Sequence, residues 1–246
     1  MTIHFIGAGP GAADLITVRG RDLLARCTVC LYAGSLVPAA LLEVCSSGTR
    51  LVDTRDLTLD QIVEELLAAH RAGYDVARLC SGDPSIFSAV TEQIRRLDSA
   101  GVPWDIVPGV PAFAAAAAAL GQELTVPGVG QTVVLTRIAA QATAMPPGEE
   151  LTRLGATGAT LVLHLAVQRI DTVVAELTPH YGGGCPVAVV ARASRADELV
   201  LRGTLADIAS QVREAGVRRT AVIVVGRVLA DGGRGSHLYS AARERG

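Results

Sequence analysis

Three breaks in the sequence place glycine and proline where a backbone can meet a ligand. They are Gly7-Ala8-Gly9-Pro10-Gly11, Ser81-Gly82-Asp83-Pro84 and Pro108-Gly109-Val110-Pro111. Each follows a short apolar run that predicts a strand. Glycine lacks a Cβ and lets the backbone approach a bound molecule closely, and open parallel sheets bind ligands beyond the carboxyl ends of their strands. One such turn is as readily a bare structural turn; three at matching strand ends point to a small-molecule cleft. Asp83 is the carboxylate in this set. Its place before Pro84 suits the N-cap of a following helix, with Pro84 at the first helical position. A cap at a strand's carboxyl end can also meet a ligand hydroxyl or positive charge.

The rest of the chemistry-bearing inventory mainly excludes. A dinucleotide turn needs G-x-G-x-x-G and an acid after the second strand. Here Gly7 and Gly9 are followed by Ala12, and the second strand ends Leu31-Tyr32-Ala33-Gly34-Ser35 with no acid. All 22 Lys+Arg residues are arginine, which excludes lysine Schiff bases, pyridoxal chemistry and the P-loop lysine. Arginine pairs bidentately with carboxylates, so an acid-rich ligand stays open. Cys27 and Cys30 spell C-x-x-C, but they lead into an apolar run and read as buried structural thiols. No second ligand pair is spaced for zinc, and His4, His70, His164, His180 and His237 show no metal-ligand spacing, so no metal site is expected. His164, in an apolar run, reads as a satisfied core residue. Ser35, Ser81 and Ser194 lack a nucleophile elbow.

Those turns need a scaffold. The chain has 246 residues, is 50% hydrophobic and 19% charged, and carries a net charge of -2. This is a globular composition with room for two domains. No basic tract occurs and aromatics are 3%, which argues against nucleic acid as a partner. The apolar run 110–120 is too short to span a bilayer, and the N-terminus has no basic region ahead of its apolar residues. A cytoplasmic protein with no membrane partner is expected.

Strands are expected at 3–6, 28–32, 50–52, 76–80 and 104–107, with helices from Thr17 and at 38–45, 58–72, 85–100 and 112–120. Thr58 and Gln61 form a capping box, Ile62, Leu66 and Leu67 share a face, and Gly73 stops that helix. Alternation of this kind predicts a parallel α/β sheet. Beyond Gly121, strands are expected at 131–136, 160–165, 186–191, 198–202 and 221–228, and helices at 169–177 and 205–215. The short turn before Glu198 predicts antiparallel pairing and a mixed sheet. A loop is expected at 139–148 and a tail from 231 to 246. The expected division is into α/β domains of residues 1–122 and 123–246.

The glycine motifs also carry a resemblance. Phe5-Ile6-Gly7-Ala8-Gly9-Pro10-Gly11, then Leu15-Ile16-Thr17-Val18-Arg19-Gly20 and Leu31-Tyr32, resemble the opening of the tetrapyrrole methylase family. Gly82-Asp83-Pro84 and Pro108-Gly109-Val110 resemble its second and third signatures, and 131–137 and 221–226 its second domain. Tyr32-Ala33-Gly34-Ser35-Leu36-Val37, Glu123-Leu124-Thr125-Val126-Pro127, the run 131–137 and Ser236-His237-Leu238-Tyr239 are nearest to a branch that methylates a precorrin in corrin synthesis. The resemblance implies a two-domain α/β homodimer with S-adenosylmethionine, converted to S-adenosylhomocysteine, in the cleft between the domains. It implies cofactor contacts at Pro10, Ser81, Gly82, Asp83, Ile86, Pro111, Ala112, Leu165 and Ala193. Gly34, Ser35 and Arg137 are the candidates for binding the precorrin. Arg137 stands at the end of its run near the expected domain junction, although an arbitrary strand-end arginine is a solvated charge. No residue declares itself as the base that takes the ring proton. A nicotinamide oxidoreductase and a non-catalytic binder are the competing classes; the missing acid speaks against the first and motifs in both halves against the second.

Overall fold

A computed structural model describes residues 1–139 and 144–230. The expected tail, its Ser236-His237-Leu238-Tyr239 element and part of the loop 139–148 lie outside the described residues. The chain forms two compact units; the first is Met1–Ala115 and the second begins at Ala116. The division falls inside the helix Ala112–Leu120, a few residues before position 122.

The first unit holds five strands: β1 (Ile3–Gly7), β2 (Val29–Tyr32), β3 (Arg50–Asp53), β4 (Val76–Cys80) and β5 (Trp104–Val107). They form a wholly parallel sheet in the order β3-β2-β4-β1-β5. The central strands β1 and β4 are apolar along most of their length because helices cover both faces. Alternation along β1 sends Ile3 and Phe5 to one face and Ile6 to the other. Each of these three is fully buried, which stabilises by about 1.5–3 kcal/mol apiece.

Helices α1 (Val18–Leu24) and α2 (Ala39–Leu42) flank the first strands. Thr17 caps α1 by accepting from Gly20 N, as its position before the apolar run predicts. Helix α3 (Leu59–Arg71) carries the full Thr58–Gln61 capping box, and Ile62, Leu66 and Ala69 are buried against β1, β2 and β4. Helix α2 is shorter than the expected 38–45.

The expected helix 85–100 is corrected. Helix α4 is Val90–Ser99, and its N-cap is Ala89, in the left-handed region at φ 54° with no side-chain cap. Asp83 and Pro84 therefore do not open a helix. Asp83 spends its oxygens on Ser85 and Gly109 instead, and residues 84–89 cross from the strand end to α4 in an irregular path. Both cysteines of the C-x-x-C are buried. Burial pushes the Cys27 thiol up to about 12, so it stays protonated and inert at neutral pH.

The second unit contains β6 (Val133–Arg137), β7 (Thr160–His164), β8 (Pro186–Ala191), β9 (Leu199–Thr204) and β10 (Ala221–Val225) in the order β6-β7-β10-β8-β9. Only β6 and β7 pair in parallel; the other three pairings are antiparallel. This is the mixed sheet that the short turn before β9 predicts. Helix α5 (Ala112–Leu120) leads from the first unit into the second. Helix α6 (Leu151–Gly155), only five residues long, has no counterpart in the sequence reading. Helix α7 (Ile170–Tyr181) runs past the expected stop at 177 with Pro179 inside it. A proline in the last turn removes one helical hydrogen bond and spares the turns before it, while Gly182 N closes the end on Thr178 O. Helix α8 (Ile208–Glu214) covers the sheet beside β8 and β9. Leu161, Leu163, Val189, Ile223 and Val225 are fully buried in the core under α7 and α8.

Candidate active site

The three glycine turns follow β4, β1 and β5, which are the three adjacent strands of the first sheet. Their turns are fused to one another. Ala8 N donates to Cys80 O at 2.8 Å. Gly9 and Gly82 form a two-way backbone bridge, Gly82 N to Gly9 O at 2.8 Å and Gly9 N to Gly82 O at 3.2 Å. Asp83 Oδ2 accepts from Gly109 N at 2.7 Å, which ties the β4 turn to the β5 turn. Thr17 contributes as well: its hydroxyl accepts from Gly20 N and donates to Pro108 O at 3.4 Å.

The glycines serve this fusion. A Cβ on Gly109 would stand 2.2 Å from Gly82 O and 2.7 Å from Gly7 Cα. A Cβ on Gly7 would stand 2.4 Å from Gly109 Cα. Gly7 and Gly109 are thus required where turn meets turn, a packing role that the sequence reading did not assign them. Gly82 differs. It needs glycine for its φ of +66°, but a Cβ there would meet nothing closer than ordinary contact, with Pro111 Cα and Ala112 N at 3.6 Å and Val110 O at 3.9 Å. Gly82, Asp83, Pro111 and Ala112 are therefore neighbours. Pro10 is buried in the first turn, and Ser81 and Ile86 are half-buried.

Asp83 is the electrostatic centre of this edge. Its Oδ1 accepts from Ser85 N at 2.8 Å and from the Ser85 hydroxyl. Burial alone would push the carboxyl up, but the hydrogen bonds from Ser85 and Gly109 outweigh it and hold the group below its ordinary value. The helix-cap role expected from sequence is replaced by a clamp between two turns. Gly34 and Ser35 lie farther along the same edge, in the single 3-10 turn Gly34–Leu36 that follows β2.

The second unit gathers its candidates on one sheet edge too. Arg137 ends β6 and stands in register with His164 at the end of β7. Strands β7 and β8 both run antiparallel to β10, so the end of β7, the end of β8 and the start of β10 share an edge. Leu165 and Ala193 follow β7 and β8 there. Arg137 is half-buried, Ala193 is buried, and Leu165 is 64% exposed. The backbone of this edge is unusual. Leu165, Arg192, Ser194 and Thr220 all have left-handed φ, at 54°, 52°, 65° and 53°. Arg192 N donates to Thr220 O at 2.7 Å, and Ser194 N donates to Glu198 Oε2 at 2.6 Å. Burial pushes the His164 imidazole below its ordinary value, so it is neutral at pH 7. Nothing in the sequence marked the four left-handed residues; none is glycine, asparagine or aspartate.

Among the described residues no group of three or more His, Cys, Asp or Glu could hold a metal ion, and no helix is long and apolar enough to cross a membrane.

Comparison with known proteins gives a consistent picture. A family model described as tetrapyrrole (corrin/porphyrin) methylases matches residues 2–209. The chain is 64% identical over 246 residues to the precorrin-4 C(11)-methyltransferase of Rhodococcus erythropolis, covering 100% of this chain and 99% of that protein. Among solved structures it is similar to a cobalt precorrin-4 methyltransferase of cobalamin biosynthesis, with a TM-score of 0.90, 38% identity, and coverage of 93% of this chain and 96% of that one. It is also similar to the uroporphyrin-III C-methyltransferase of Thermus thermophilus solved with S-adenosylhomocysteine, with a TM-score of 0.79, 27% identity and 93% of each chain covered.

Proposed function

The chain belongs to the tetrapyrrole (corrin/porphyrin) methylases, and from that premise we propose that it transfers a methyl group from S-adenosylmethionine to C11 of precorrin-4, giving precorrin-5 in cobalamin synthesis. The single observation that carries this reading is the 64% identity, over the full length of both chains, to an enzyme named for that reaction. The alternative substrate, cobalt-precorrin-4, is favoured by the 0.90 TM-score to an enzyme named for it, but at the lower identity of 38%.

The residues present fit the cofactor. We assign it to Pro10, Ser81, Gly82, Asp83, Ile86, Pro111 and Ala112 of the first unit and to Leu165 and Ala193 of the second. The support is physical: Gly82, Pro111 and Ala112 adjoin with no side chain at 82, and the exposed Leu165 offers apolar surface suited to a purine. When bound, S-adenosylmethionine supplies a methyl group on a sulfonium, which is transferred in line to a nucleophilic carbon. The protein's part is to hold donor and acceptor in place, which can supply much of the acceleration. The fused turns suit this because their backbones are fixed by one another and by Asp83. Arg137, Gly34 and Ser35 are assigned to the tetrapyrrole, whose carboxylates suit arginine forks. We further propose, on the family resemblance, that the enzyme works in the cytoplasm as a homodimer; light scattering at assay concentration checks the dimer.

The test is incubation with methyl-labelled S-adenosylmethionine and, separately, precorrin-4, cobalt-precorrin-4 and uroporphyrinogen III. Label in precorrin-4 at C11 is expected. Label only in the cobalt form would shift the substrate, and label in none would overturn the reading.

A further inference from the structure

The carboxyl edge of the first sheet has a half that the fused turns do not use. There the chain leaves β2 at Tyr32 and β3 at Asp53, which are register partners. Thr54 locks the two exits together: its N–H and its hydroxyl both donate to Tyr32 O, at 2.9 and 3.0 Å. This brings Arg55 beside the turn Gly34–Leu36. Gly34 has a φ of +50°, and a Cβ on it would stand 2.6 Å from Arg55 Nε, 3.0 Å from Nη2 and 3.2 Å from Cζ. The guanidinium therefore occupies the space that a side chain at position 34 would fill. Asp53 fixes it from the other side. Asp53 Oδ1 accepts the Arg55 backbone N–H at 2.9 Å, and Oδ2 lies 3.4 Å from Nη2.

The Arg55 side chain is nevertheless 61% exposed. A guanidinium has five N–H donors, and Asp53 meets one of them. With the side chain 61% exposed, its outward-facing donors can meet an incoming acceptor. An ordinary surface ion pair needs no glycine beside it and holds its side chain loosely. Here the glycine notch and Asp53 orient the fork in advance, which lowers the entropy lost on binding a carboxylate. Along the edge, β2 lies between β3 and β4, and the turn after β4 belongs to the candidate cofactor site.

We propose that Arg55, seated in the notch left by Gly34, clamps a carboxylate of the tetrapyrrole and is a substrate-specificity residue of this enzyme. The proposal rests on the methyltransferase reading above. It differs from a general cationic surface in naming one fork, its orienting partner Asp53 and the glycine that admits it.

The test is steady-state kinetics of R55A and R55K with the tetrapyrrole that the wild type methylates, alongside S-adenosylhomocysteine affinity and melting temperature. R55A is expected to raise KM for the tetrapyrrole about tenfold, the scale of one charge-assisted hydrogen-bonded contact. The kcat should change far less, and S-adenosylhomocysteine affinity and melting temperature should stay at their wild-type values. R55K should recover part of the loss, because it keeps the charge and loses the fork. Added salt should raise the wild-type KM more steeply than that of R55A. A wild-type tetrapyrrole KM in R55A overturns the proposal and leaves the methyltransferase reading intact. A parallel loss of melting temperature and of both substrates' binding in R55A and R55K makes Arg55 a folding residue and also overturns it. A wild-type enzyme that methylates no tetrapyrrole overturns the underlying reading first and this proposal with it.

Discussion

The two sheet edges that carry the candidate residues are shaped largely by different means. At the carboxyl edge of the first sheet, turns after neighbouring strands are pressed together, and glycine is required because any Cβ at 7 or 109 would strike backbone. At the edge formed by the ends of β7 and β8 and the start of β10, the turns use ordinary residues in left-handed conformations. Each such non-glycine residue costs on the order of 1–2 kcal/mol relative to a relaxed backbone. The cost is offset by local hydrogen bonds, such as Arg192 Nε to Asp197 O at 2.9 Å and Arg192 N to Thr220 O. The first edge is shaped chiefly by contact between turns, with left-handed Phe87 and Ala89 only in the chain that leads on to α4, whereas the second relies on strain in the turns themselves. Strain of this kind persists where the surroundings over-determine it and concentrates at ligand sites.

The sharpest way to break this contrast is Gly109→Ala. The new methyl group meets Gly82 O and Gly7 Cα, backbone atoms that cannot step aside, so a loss of more than about 3 kcal/mol in urea unfolding is expected. A mild effect would mean that the turns are looser than their hydrogen bonds imply.

Asp83→Asn comes next. As a helix cap, Asn would replace Asp at little cost. As a clamp, it must put an amide N–H against either Ser85 or Gly109, both of which donate to Asp83. A loss of about 1–3 kcal/mol is expected, with weaker S-adenosylhomocysteine binding. The pH dependence has a definite sign. The folded carboxyl titrates below its ordinary value of 3.8, so its contribution is present above that value and fades as pH falls through the lowered one. The stability gap between wild type and D83N should therefore shrink in acid and stay level from pH 5 to about 8.

Leu165→Gly probes the strained edge. Glycine relieves the left-handed backbone but loosens the unfolded chain. Because the Leu165 side chain is 64% exposed, little burial is lost, and stability should move by less than about 1 kcal/mol. Calorimetry should show weaker S-adenosylhomocysteine binding, since the apolar contact surface is gone; unchanged affinity would remove Leu165 from the site. The smallest effect is expected from Arg137→Lys, a few-fold rise in KM for the tetrapyrrole at constant cofactor affinity. Equal KM values for the wild type, R137K and R137A would free Arg137 of any substrate role.

The same contrast explains what the sequence discloses. The first edge is legible because its geometry demands glycine and proline, residues that stand out in the chain. The α3 capping box and the apolar strands are legible for similar reasons: their chemistry is local. Asp83 shows the limit. Asp-Pro after a strand is written identically whether the aspartate caps a helix or reaches a residue 26 positions away, Gly109, and only the sheet order brings β4 and β5 turns close enough to decide. Helix α4 starts at Val90 instead of 85 for the same reason. Leu165, Arg192, Ser194 and Thr220 carry no local mark, because tertiary packing imposes their conformations against propensity. In the sequence Arg55 is one of 22 arginines with nothing to mark it; its seat against Gly34 singles it out.

Whether the cofactor contacts the residues assigned to it at each edge is read from amide hydrogen exchange with and without S-adenosylhomocysteine. Protection is expected at residues 81–89 and 109–112 and around Leu165 and Ala193, with none on adding NADP. Protection by NADP, or protection by S-adenosylhomocysteine confined to other segments, would contradict that assignment.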